Sequence, residues 1–266
     1  APPEAARRLA IGFLTRADTP GGNVNWLPDS RHFAYVKDFS GDEATQIFIQ
    51  DAEAPAAAPW AVTPWPGVRS TLLGRGAEGA SSYYFVSNRR DRKTFDLYQA
   101  DAATRSVREL ARSDGSVVGW LIDAQRQLAG RVRKTGPADD SDTAFEWRQP
   151  DGGWRPWRSV GPWDSLRVVG IDLAAGKTWV LHNLQRDKSA LFEVDLASGR
   201  ERLLAEDAQV DLQYAQTLPG QARPVAVVSE PAHPRVQWLD QALGQAVQAA
   251  TQQALAQGLL RAPPRV

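Results

Sequence analysis

An aspartate that closes a pair of apolar strands returns at positions 51, 101, 151, 195 and 240, at spacings of 50, 50, 44 and 45 residues. Phe33-Ala34-Tyr35-Val36 precedes Gln46-Ile47-Phe48-Ile49-Gln50-Asp51, and Tyr83-Tyr84-Phe85-Val86-Ser87 precedes Phe95-Asp96-Leu97-Tyr98-Gln99-Ala100-Asp101. Thr178-Trp179-Val180-Leu181 precedes Ala190-Leu191-Phe192-Glu193-Val194-Asp195. Two weaker copies are Ala144 to Arg148 running to Asp151, and Pro224 to Val228 followed by Val236-Gln237-Trp238-Leu239-Asp240. Apolar and polar residues alternate at period two, the pattern of half-buried strands. A period of about 40 to 50 residues suits a four-stranded blade, whereas a helical repeat of that length would show a 3.6-residue rhythm. The sequence therefore predicts an all-β chain, a β-propeller of four-stranded blades, with about five blade-equivalents between residues 22 and 240.

The recurring aspartate is expected to end the third strand of each blade, where a carboxylate accepts backbone N–H groups and starts the turn into the outer strand. Asp101-Ala102-Ala103-Thr104-Arg105 and Asp195-Leu196-Ala197-Ser198-Gly199-Arg200 read as such turns, leading into Val107 to Leu110 and Glu201 to Leu204. The β pattern stops near Leu239. From there to about Ala256, Leu239, Leu243, Val247, Ala250 and Ala254 recur at three- and four-residue steps, which predicts a C-terminal amphipathic helix stopped at Gly258. Its apolar stripe requires a surface to cover. The expected organisation is a lead-in over residues 1–21, blades over 22–240, and a helix and tail over 241–266.

Charge and composition narrow the function. Lys and Arg number 31 against 31 Asp and Glu, so no net field draws nucleic acid or an anionic membrane surface, and neither is an expected partner. Without cysteine there are no disulfides, thiolate metal sites or cysteine nucleophiles. No apolar stretch approaches the roughly 20 residues of a spanning helix. Methionine is absent even at position 1, so the chain is expected to be a processed product or an excerpt. The opening Ala1-Pro2-Pro3-Glu4 suits an end left by leader removal, which points to a periplasmic or secreted location, with the cytoplasm as the alternative.

Several letter patterns carry no chemistry in their context. Gly74-Arg75-Gly76-Ala77-Glu78-Gly79 matches a dinucleotide loop, but Ser81 to Val86 continues as a strand and no helix N-terminus is offered to a pyrophosphate. No Gly-x-Ser-x-Gly elbow occurs, and His32, His182 and His233 have no partner at fixed spacing. No catalytic residue, cofactor site or metal site is assigned. Basic-acidic clusters sit at equivalent inter-strand hairpins, Arg89-Arg90-Asp91-Arg92-Lys93 and Arg186-Asp187-Lys188. Arg90, Asp91, Arg186, Asp187 and Lys188 are thus the candidate rim or docking contacts, set against a plain solvated hairpin. Trp147, Trp154, Trp157 and Trp163 cluster in the third blade-equivalent, where aromatics fill space between blades or, alternatively, form a saccharide platform.

Trp26-Leu27-Pro28-Asp29-Ser30-Arg31-His32-Phe33-Ala34-Tyr35-Val36 resembles the blade signature shared by TolB-type propellers and the N-terminal propellers of prolyl-oligopeptidase-family serine peptidases. Val86-Ser87-Asn88-Arg89-Arg90-Asp91 leading to Phe95-Asp96-Leu97-Tyr98, and Arg186 to Asp195, are similar to the propellers of bacterial dipeptidyl-aminopeptidase and acylaminoacyl-peptidase types. The resemblance implies a propeller of about seven blades over a C-terminal α/β-hydrolase domain with a Ser-Asp-His triad, admitting short peptides and excluding folded proteins. With five blade-equivalents and no matching catalytic position, this chain is expected to be a truncated propeller that lacks the hydrolase domain and is inactive alone, its parent a serine peptidase. A TolB-like scaffold for protein–protein contacts is the alternative implication.

Overall fold

A computed structural model describes residues 24–38, 43–137 and 141–259. The expected lead-in over 1–21, the first two positions of the expected blade region and the end of the tail lie outside the described residues. The chain divides into two compact units, residues 1–118 and 119–266.

The first unit holds two antiparallel four-stranded sheets in simple meander order. One comprises β1 (Val24–Trp26), β2 (His32–Lys37), β3 (Gln46–Asp51) and β4 (Trp60–Ala61). The other comprises β5 (Ser70–Arg75), β6 (Ser82–Ser87), β7 (Asp96–Asp101) and β8 (Ser106–Ala111). The second unit, whose boundary falls inside β9 (Val117–Ile122), continues the third sheet with β10 (Leu128–Thr135), β11 (Asp142–Arg148) and β12 (Trp154–Val160). The fourth sheet is β13 (Leu166–Asp172), β14 (Lys177–His182), β15 (Ala190–Asp195) and β16 (Glu201–Ala205). The fifth has three strands, β17 (Leu212–Thr217), β18 (Pro224–Ser229) and β19 (Arg235–Trp238), followed by α1 (Gln241–Ala256).

The sequence explains which strand is central. β18 is Pro-Val-Ala-Val-Val-Ser and all six residues are buried, while β14 buries Thr178 to His182. Such strands read as continuous apolar runs because both faces are covered. Their neighbours alternate: β17 exposes four of its six residues and β8 four of its six. Adjacent sheets close on one another through the central strands. In the first unit Leu27, Ala34, Ile47 and Ile49 pack with Tyr83, Phe85 and Tyr98. In the second, Ala129 and Trp147 pack with Ile171, and Trp179, Leu181 and Leu191 with Leu212 and Val227. Bulges recur at matching places in the second to fifth sheets, with an extra residue in the first strand after Leu72, Val168 and Leu212 and in the fourth strand opposite the steps Leu97–Tyr98, Phe145–Glu146 and Leu191–Phe192, adding local twist.

The repeated aspartates do the work expected of them, with two variations. Asp51, Asp101 and Asp195 end third strands, and their Oδ1 atoms accept Glu53 N (2.8 Å), Thr104 N (3.0 Å) and Ser198 N (2.8 Å). Asp151 lies beyond the strand end, in the turn itself, where it accepts Gly153 N at 2.7 Å. Asp240 caps a helix: its carboxylate accepts Leu243 N at 3.0 Å as N-cap of α1. The fifth repeat thus departs from the four-stranded expectation, because the same acceptor that elsewhere starts a turn into an outer strand here starts a helix.

The helix ends as predicted. Gly258 adopts φ +71°, and Gly258 N and Leu259 N donate to Leu255 O and Ala254 O at 3.0 and 2.9 Å, a Schellman closure. Its apolar stripe is covered most fully at the start, where Gly244 is buried against the Trp238 ring, whereas Val247 is 41% exposed and Ala254 half-buried. A Cβ at Gly244 would stand 2.5 Å from Trp238 Cγ, so any side chain must lift the helix or turn the indole. Gly244→Ala is therefore expected to lower the thermal midpoint and red-shift tryptophan emission, despite alanine's helix preference of about 1 kcal/mol over glycine. A midpoint raised by the substitution would show that the helix does not need that contact.

Candidate functional site

The two charged hairpins occupy the same place in their sheets, β6–β7 in the second and β14–β15 in the fourth. Each opens on an asparagine that ties the hairpin to the connection entering its own sheet. Asn88 Oδ1 accepts Arg69 N at 2.8 Å, and Asn183 Oδ1 accepts Ser165 N at 2.8 Å. Beyond that shared anchor, arginine and acid take different roles.

Arg90 is a clamp. Its Nε and Nη2 donate to the two oxygens of Asp96 at 2.8 Å each, and Nη2 also donates to Ser113 O at 2.8 Å. Asp96 is fully buried and accepts Ser113 N at 2.7 Å. A fork-to-fork pair of this kind fixes direction as well as distance. It binds the β6–β7 hairpin to the exit of β8, a stronger arrangement than a weakly paired, solvated hairpin. Asp91 is exposed and spends one oxygen on Lys93 N at 2.9 Å. In the fourth sheet Arg186 pairs with Glu206 beyond β16 and lies 5.5 Å over the Phe192 ring, while Asp187 remains 86% exposed beside Lys188. Arg90 and Arg186 thus hold their own sheets together, and Asp91 and Asp187 face outward.

Removing the Asp96 carboxylate should be costly. It leaves the Arg90 guanidinium and Ser113 N without their acceptor, although Arg90, 38% exposed, can regain some water. Asp96→Ala is expected to cost roughly 2–3 kcal/mol in urea unfolding, below the value for a fully buried pair. Asp91→Ala should stay within about 0.5 kcal/mol. Equal losses for the two variants would contradict the division of roles.

Sequence reasoning did not find a second set of charges, because each partner lies on a different strand. His182 is 2% exposed, stacks on Phe192 at 4.2 Å, and accepts Leu184 N at Nδ1 (3.2 Å), which leaves Nε2–H to donate to Glu201 Oε2 at 3.1 Å. Glu201 also pairs with Arg158. Burial pushes the His182 pKa down against the pull of Glu201, and Arg158 and Arg186 reinforce the lowering. The unfolded chain then binds this proton more readily than the folded one. The contribution of neutral His182 to stability is complete above about pH 6.5 and is lost as the pH falls from there toward the folded-state pKa. Between pH 7.5 and 5.5 the native protein should lose more stability than His182→Gln does, as read from urea midpoints; parallel losses would rule the linkage out.

The third sheet carries its own ionic core. Glu146, 7% exposed, accepts Arg131 Nε at 2.5 Å and Arg133 Nη1 at 3.0 Å. The guanidinium groups of Arg131 and Arg148 lie 4.5 and 4.7 Å from the Trp154 ring centre. Trp147 and Trp157 lie tilted against each other with ring centres 4.9 Å apart, and Trp147 is buried. Three of the four clustered tryptophans are therefore engaged by other side chains, and Trp163 alone among them is 93% exposed.

Repeated four-stranded antiparallel meanders, packed through apolar central strands, are β-propeller blades. Comparison with known proteins agrees. The chain is 27% identical over 192 residues to dipeptidyl aminopeptidase BIII of Pseudoxanthomonas mexicana, a match covering 71% of this chain and 27% of that protein. It thus spans about a quarter of the length of the curated relative it matches. Among solved structures it is similar to Porphyromonas gingivalis dipeptidyl peptidase 4, with a TM-score of 0.50 at 12% identity, covering 77% of this chain and 33% of that one. TolB from Acinetobacter baumannii aligns with a TM-score of 0.48 at 15% identity, covering 82% and 51%. No family model matches the chain. The resemblance to prolyl-oligopeptidase-family propellers drawn from the blade motifs is thus met again in the comparisons, and the structural likenesses concern the fold.

Proposed function

We propose that this chain forms propeller blades that restrict access to the active site of a serine peptidase acting on short peptides. The observation that carries the reading is the 192-residue match to a dipeptidyl aminopeptidase, which extends over most of the described blades. Blade surfaces suit such a role physically, because rigid sheets hold their connecting loops in place and so present a rim of fixed shape. The chemistry would belong to a separate α/β-hydrolase domain, and the His–acid pairs of these blades, His32 with Asp29 and His182 with Glu201, are spent on local structure. Periplasmic or secreted placement accompanies the proposal, since peptide scavenging is useful there.

Two measurements test it. The chain alone should take no label from a fluorophosphonate probe, and labelling would overturn the assignment of the chemistry to another domain. Grafted in place of the matched region of the dipeptidyl aminopeptidase, residues 24–259 should yield a chimaera that cleaves fluorogenic dipeptide amides and spares a folded protein substrate. A folded, active chimaera that degrades the folded substrate would overturn the gating role.

A further inference from the structure

Three arginines of the second sheet border one cavity of about 370 Å³, lined by Arg89, Arg90, Tyr98, Val107, Glu109 and Arg112. That volume lies within the range of about 300–1,000 Å³ usual for small-molecule sites. Topology explains the convergence: Arg89 and Arg90 stand on the β6–β7 hairpin, Tyr98 on β7, Glu109 opposite it on β8, and Arg112 just past the end of β8. The three cations are not equivalent. Arg90 is taken up by Asp96 through Nε and Nη2 at 2.8 Å each, and Arg112 Nε donates to Glu109 Oε1 at 2.6 Å. Arg89 has no carboxylate partner among the described residues. Its guanidinium lies 4.1 Å from the centre of the Trp65 ring, a contact that positions the group without using any of its N–H donors. Two complete ion pairs and one arginine without an acid leave the cavity a surplus of one positive charge.

Tyr98 adds a polar group that the fold does not satisfy. The residue is 5% exposed and its ring stacks on Phe85 with centres 5.3 Å apart, yet its hydroxyl has no hydrogen-bond partner among the described residues. Burial, reinforced by the charges of Asp96 and Glu109, pushes its pKa up, so the hydroxyl keeps its proton and donates. Arg89 and Arg90 act on the same group in the opposite direction, which sets their positive charge near it.

We infer that this cavity binds a monoanionic carboxylate, with Arg89 as the charge partner and Tyr98 as the hydroxyl donor. The planar guanidinium fork matches the two oxygens of a carboxylate, and Arg90 Nη1 and the terminal nitrogens of Arg112 are further donors not used in the pairs above. Glu109 limits the charge the site accepts: a sulfate or phosphate dianion would exceed the surplus and meet its carboxylate. Trp65 holds Arg89 in advance, which lowers the entropy lost on closing around a ligand. A free organic acid and the end of a peptide chain both carry the required group. The site stands on its own charges and is independent of the gating role.

The test follows the side-chain Nε–H resonance of Arg89, identified with Arg89→Gln, in the whole chain labelled with 15N-arginine, in mildly acidic buffer where that proton exchanges slowly. Acetate and acetyl-Ala-Ala should each move the resonance along a saturating curve, whereas acetyl-Ala-Ala-amide, alike but for the charge, should bind roughly tenfold more weakly or not at all. Tyr98→Phe should weaken acetate by roughly threefold or more. Arg92→Gln, which removes a charge from the same hairpin outside the cavity, should change the affinity by less than about twofold. No response, equal binding of acid and amide, equal losses in Tyr98→Phe and Arg92→Gln, or sulfate binding more tightly than acetate would each overturn the site. A response to acetate without acetyl-Ala-Ala would support the site and assign it to a free acid, and tighter binding of acetyl-Ala-Ala would assign it to a chain end.

Discussion

Burial of the second strand on both faces is the constraint on which these blades depend. β6, β14 and β18 have apolar or small residues at consecutive positions, so no single sheet can satisfy them with one neighbour and one wet face. Within each unit neighbouring sheets supply such cover, as in the clusters that join Ala34 and Ile49 to Phe85, or Leu191 to Val227. Stability of this kind is a sum over neighbouring repeats, each contributing little alone. The outer strands need no such cover, which is why β8 is largely exposed and why the fifth repeat can end in a helix.

Polar groups then fix the geometry that apolar burial leaves loose. Carboxylates at or just past strand ends accept turn N–H groups in the first four sheets, and the bond donated by Arg31 to Asp51 at 2.6 Å holds the Asp51 carboxyl down at a pKa of about 2. Deeper carboxylates, Asp96 and Glu146, are satisfied by arginine forks and tie hairpins or strands to one another. Buried acids are costly unless every lone pair is matched, and the arginines that reach them thereby become structural.

Local groups of the candidate site are legible in the sequence, and groups that meet across strands are not. The period of the aspartates, the alternation of the strands and the Gly258 stop all depend on neighbours in sequence, and they were legible. The equivalence of the two charged hairpins was legible too. The inward turn of Arg90 was not, since Asp96 follows only six residues later while Ser113 approaches from the outer strand. His182, Glu201 and Arg158 likewise lie on three strands, and their meeting is a consequence of sheet packing. A further copy of the blade signature, Trp120-Leu121-Ile122-Asp123 before Leu128-Ala129, is masked in the sequence because Ala124 and Gln125 replace the expected turn residues. In the structure Asp123 Oδ1 accepts Gln127 N at 2.7 Å, as Asp29 Oδ1 accepts Arg31 N and His32 N at 3.0 Å.

By itself, the sequence determined the all-β class, the blade-sized repeat and the helix after the last strand, because these follow from local periodicity and from carboxylates acting within two or three residues. The tertiary structure alone decided which arginines are clamps, which tryptophans are covered, and that Asp240 caps a helix where its counterparts start turns. Those outcomes depend on groups brought together across strands, where spacing along the chain carries no information about distance.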